Sequence, residues 1–233
     1  MAGKKVFTDK ELKQLGGSTL EKTLEAIDAG DKEKARKLAI QAQKEYNYLH
    51  DGYFTWASGL LTYIYNHWGV DEVEKAERFA HGVEAKLVFK PPEKKDIRSL
   101  VENMARTVQG HMQPVTVEEE DDKFLITMHP CGSGQRIIQM GGYETGLAKI
   151  KEAHNITWQH KDFPIYCVHC PVMELLSIDN SGGYLGVVRE EPYPIESGLC
   201  KFVLYKDPDD IPERYYTRIG KKKPAAKIIE ITP

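Results

Sequence analysis

Apolar side chains recur every three or four residues through the first half of this chain, and in short β-branched runs after Pro114. The first pattern predicts helices and the second predicts strands. Thr8 with Glu11 and Ser18 with Glu21 are capping boxes that open two short helices, and Asp31 after Gly30 is a third N-cap. From Asp31 the helical period runs to Trp68 through Leu38, Tyr46, Leu49, Tyr53, Trp56, Leu60 and Ile64, as one long helix or two broken near Gly52. Gly69 ends it. Asp71 opens a helix to about Phe89, Pro91-Pro92 stops that one, and a last helix runs from Glu93 to about Val108.

Val115 to Val117 and Phe124 to Met128 flank an acidic stretch and predict a hairpin. Further strands are expected at Pro164 to Cys167, Tyr184 to Arg189 and Leu199 to Tyr205. Between them, Tyr143 to Ala153 reads as a helix, and Pro171 at a first helical position opens another through Ser177. The fold class is therefore α+β, an N-terminal helical half packed on a small, mostly antiparallel sheet with helices. The expected organisation is a helical region over 1–112, an α+β region over 113–206, and an extended, surface-packed tail over 207–233. No internal repeat is visible.

At 233 residues the chain can bury a core without disulfides. Its 32 basic and 35 acidic residues are mixed along its length, so no field favours nucleic acid or an anionic membrane. No apolar run reaches the ~18 residues of a membrane span, and the N-terminus lacks a signal-like apolar stretch. A cytoplasmic protein with reduced thiols is expected, with a small molecule as partner and room for a homo-oligomer.

The chemistry lies in two cysteine runs, His129-Pro130-Cys131 and Cys167-Val168-His169-Cys170. Three thiols with adjacent imidazoles suit the softness and tetrahedral preference of Zn²⁺. Cys131, Cys167 and Cys170 are the expected ligands, with His129 as a fourth ligand or a proton-transfer group. His169, inside the CxxC, is expected to point away. Two other readings stand beside this one, an inert structural zinc and a redox pair of Cys167 and Cys170. Arg136, after Gly132-Ser133-Gly134, would suit a substrate carboxylate, though it could equally pair with a surface acid. In the long helix, His50, Tyr53 and Trp56 could form one wall of a substrate cavity, with His50 as general base; the same aromatics also fit plain core packing. Glu144 and Glu174 are weaker proton-transfer candidates. Cys200, alone on its strand, reads as a small buried hydrophobe.

Three stretches carry a resemblance: the helix with His50-Asp51 and Trp56-Ala57-Ser58-Gly59-Leu60-Leu61, the clustered cysteines, and the strand Ser197-Gly198-Leu199-Cys200-Lys201-Phe202-Val203. Together they resemble the L-2-amino-thiazoline-4-carboxylic acid hydrolase-like family and, more distantly, the small-molecule-binding domains named after 4-vinyl reductase. The resemblance implies an α+β domain with a small-molecule cavity and, for the first family, ring-opening hydrolysis of a heterocyclic acid. The combined expectation is a zinc-dependent hydrolase of a C–N or C–S bond in a small organic acid. The alternatives are a 4-vinyl-reductase-type binding or sensing module with a structural zinc, and a thiol redox protein.

Overall fold

The computed structural model describes residues 6–87, 96–111, 113–181, 183–190 and 194–225. They form an α+β protein whose chain divides into two compact units, one ending at Gly52 and the other beginning at Tyr53.

The first unit is helical. In α1 (Asp9–Gly16) and α2 (Thr19–Asp28) both expected capping boxes form: Thr8 and Ser18 accept from the backbone N–H of Glu11 and Glu21, whose carboxylates reach back to the cap N–H. The long helix α3 (Lys32–Trp68) starts after Asp31, whose carboxylate accepts from Lys34 N–H at 3.0 Å, and it continues unbroken through Gly52. A lone glycine in a helix costs only about 1 kcal/mol against alanine, too little to break 37 residues of otherwise compatible sequence.

In the second unit, α3 ends at Gly69, which takes a φ of +84° that favours glycine. The helix α4 (Val70–Leu87) follows, and its expected end at Phe89 lies outside the described residues. Helix α5 (Ile97–Gln109) is capped by Asp96, which accepts from Ser99 N–H at 2.8 Å; its expected start at Glu93 also lies outside them.

Four antiparallel strands form the main sheet in the order β1-β2-β6-β5: β1 (Val115–Glu119), β2 (Lys123–Met128), β5 (Val188–Glu190) and β6 (Lys201–Tyr205). Register decides which side chains face which layer. Leu125 stands opposite Val203, while Phe124 and Ile126 stand opposite Leu204 and Phe202. Leu125, Val203 and Val188 pack on the side of helix α7 (His169–Asn180) with Val172, Leu175 and Ile178. Ile126 and Leu204 pack on the α5 side with Val101 and Met104. The sheet thus sits between α5 and α7, with its period-two alternation feeding two cores.

Several local expectations differ, and the strand expected at Tyr184–Arg189 is only the three-residue β5, Val188–Glu190. Tyr143–Ala153 is not a helix: Gly141 and Gly146 take φ of +72° and +117°, and the segment turns before a short strand β3 (Lys149–Ile150). That strand pairs with β4 (Phe163–Pro164), after which Ile165–Val168 forms a 3-10 turn instead of continuing as strand. Proline cannot donate to a ladder, so Pro164 ends this strand. A short helix, α6 (Gly134–Gln139), follows the first cysteine run and was not anticipated. Helix α7 (His169–Asn180) starts two residues before Pro171, which still occupies the first turn, where no N–H partner is needed.

The C-terminal part is also more than an extended tail. It contains α8 (Glu213–Thr217) and buries Ile211, Tyr215, Tyr216 and Ile219 in the main core. The last expected residues, 226–233, lie outside the description.

A four-cysteine cavity and an adjoining groove

Glu174 of α7 organises the neighbourhood. Fully buried, it accepts from the Trp158 indole N–H at 2.8 Å, from Arg189 backbone N–H at 2.8 Å and from an Arg218 Nη at 2.7 Å. Both carboxylate oxygens are engaged in binding scaffold, so this carboxylate fastens β5 to α7 and is no free proton carrier.

The first cysteine run lies in the loop between β2 and α6. Gly132 N–H donates to Gln113 Oε1, and a Cβ at this residue would stand 2.1 Å from the His111 carbonyl oxygen. Only glycine fits there. A Cβ at Gly134 would lie 2.9 Å from Cys167 Sγ and 4.0 Å from Cys131 Sγ, so this second glycine lets the two runs approach. Burial pushes the Cys131 thiol up, and backbone N–H groups of Ser133, Gln135 and Gly134 directed at its sulfur work the other way. Such N–H···S contacts favour a thiolate once a cation is present.

Cys167 ends up in the 3-10 turn and Cys170 in the first turn of α7. Burial drives Cys167 far above its ordinary range, with further elevation from Cys170, Cys131 and Cys200. All four cysteines, from three separate segments, line one cavity of about 30 Å³, together with His169, Arg189 and Phe202 among others. None forms a disulfide. Cys200, just before β6, is thus part of the site. The loop before it is held by Gln135, whose Nε2 donates to Ile195 O at 3.0 Å and to Gly198 O.

His169, expected to point away, also lines the cavity. Its Nδ1 lies 2.8 Å from Tyr166 O, which assigns the proton to that nitrogen, and its Nε2 lies 3.5 Å from Cys170 Sγ. Burial lowers its pKa, so the ring is neutral.

Arg189 is 8% exposed, its guanidinium lies 4.7 Å from the Phe202 ring centre, and its Nε has no hydrogen-bond partner. It borders both the cysteine cavity and a groove of about 330 Å³ lined by His81, Glu84, Met104, Met173, Leu176 and Val187 among others. In that groove, burial works against a charged His81, but hydrogen bonds to Glu77 and Glu84 outweigh it and hold the imidazole at about 9.

Other expected site residues are placed elsewhere. The His129 ring is half-buried beside Thr116, with Nε2 3.0 Å from Oγ1, and does not line the cysteine cavity. Arg136 is half-buried on α6 and also stands outside that lining. Tyr53 and Trp56 are 61% and 64% exposed, and it is Phe54 between them that is buried. His50, in the first unit, stacks on Tyr46 and has Nδ1 3.5 Å from Asp51.

The donor set suits a soft metal: four cysteines and a neutral imidazole line the cavity, with the buried Arg189 guanidinium beside them. Among the described residues, no three His, Cys, Asp or Glu side chains already stand in an arrangement that could hold an ion, so ligation would require thiols to turn inward. Among the same residues, no helix is long and apolar enough to cross a membrane. Comparison with protein-family models, with curated proteins and with solved structures finds no match to this chain.

Proposed function

We propose that this protein is a small-molecule-binding module built around a thiolate-held zinc ion, with Cys131, Cys167, Cys170 and Cys200 as ligands. The observation that carries this reading is the meeting of all four cysteines at one small cavity. A four-thiolate zinc leaves no position for water, so the ion would tie the β2–α6 loop, the start of α7 and the start of β6 together. Four thiolates on Zn²⁺ carry a net negative charge, and Arg189 supplies the buried counter-charge. The ligand would occupy the neighbouring groove, whose volume and mostly apolar walls with a few polar groups suit a compact organic molecule.

The test is metal analysis of the full chain purified without chelator, in wild type and in Cys200→Ser. One zinc per chain, lost or strongly reduced in the variant, supports the reading. Zinc that is retained in Cys200→Ser, with an exchangeable water on it, favours the hydrolase instead, with three thiolates and an open position. Iron with acid-labile sulfide replaces zinc with an iron–sulfur cluster, and a metal-free Cys167–Cys170 disulfide favours the redox protein.

A further inference from the structure

We propose that the exposed face of α3 is the interface through which two copies of this chain form a symmetric dimer. In the second unit, Phe54, Ser58, Leu61 and Thr62 turn one side of α3 inward. The other side carries Tyr53, Trp56, Leu60 and Tyr63, each about half exposed or more. Their spacing is three, four, three, the seam of a coiled coil, and the same alternation begins upstream in the sequence at Tyr46 and Leu49. A single exposed leucine needs no explanation, but a continuous aromatic seam does.

Two features argue for a second copy as the occupant. The face is self-complementary: the hole bounded by Trp56, Gly59, Leu60 and Tyr63 has glycine at one corner, where an added Cβ would meet nothing within 4 Å. An aromatic knob from an identical helix can enter such a hole, and a two-fold axis repeats the contact. Area points the same way. Tyr53, Trp56, Leu60 and Tyr63 expose on the order of 500 Å² of side chain, so two copies of this face bury about 1,000 Å² together, the size at which a specific interface begins.

The experiment is sedimentation velocity on the full-length chain over a micromolar concentration series. Wild type should sediment as twice the 26.5 kDa chain mass. Trp56→Glu with Tyr63→Glu should weaken association at least ~30-fold, because large aromatics dominate interface energetics. Gly59→Gln should also weaken it at least ~10-fold by filling the hole, while leaving the monomer's helicity intact, since the position faces open space. If the double variant loses its circular dichroism, the Gly59→Gln result decides. A wild-type monomer at ~100 µM, or a dimer unchanged by Gly59→Gln, overturns the proposal. Zinc content is read on the same samples, so loss of the dimer with metal retained separates this interface from the cysteine site.

Discussion

Glu174 shows how much one side chain can settle. Its carboxylate meets Trp158, Arg189 N–H and Arg218 in a region of no solvent access, so Glu174→Gln removes the negative charge that faces Arg218 there. A loss of about 3–5 kcal/mol in urea unfolding is expected, since removing one partner of a buried ion pair is strongly destabilising. A loss below 1 kcal/mol would show that Arg218 finds solvent instead. His81 has a different signature. Its folded pKa of about 9 lies above the ordinary 6.5, so its contribution is complete below pH 6.5 and is lost as pH rises through 9. The window is worth about 3 kcal/mol as an order of magnitude. In His81→Gln the fall in stability between pH 6.5 and 9 should flatten; an unchanged profile would remove His81 as its source.

At the scale of elements, the glycine loop and the sheet make separate demands. Gly132→Ala forces a Cβ into the His111 carbonyl, and neither backbone can yield cheaply, so a cost of about 1–3 kcal/mol and a displaced Cys131 are expected. Zinc affinity measured by chelator competition should fall with stability; affinity equal to wild type would mean that the loop is not a ligand platform. In the sheet, Ile126 is fully buried where β2 meets α5, so Ile126→Ala should cost about 2–5 kcal/mol. The same elements show what sequence patterning can reach. Capping boxes and helical periods were legible because they depend on neighbours three or four residues away. The Tyr143–Ala153 segment misled because its composition suits a helix while Gly141 and Gly146 bend it, and a two-residue strand such as β4 has too short a pattern to read.

For the whole molecule, the proposed zinc would link metal binding to folding. If zinc cross-links three segments in the folded state, saturating metal should raise the melting temperature and chelator should lower it by several degrees. No shift on chelation of a demonstrably zinc-loaded sample would mean that the ion binds folded and unfolded chain alike. The sequence by itself determined the α+β class, the helical capping, and three of the four cysteines of the cavity, all encoded in local patterns. Tertiary structure alone decided that Cys200 joins them, that His129 and Arg136 stand outside the cavity lining, and that Tyr53 and Trp56 are exposed. The reason is physical: spacing tells which residues share a helix or strand face, whereas convergence of segments more than thirty residues apart depends on sheet register and the packing of α7. Cys200 looked solitary only because its partners come from across the fold.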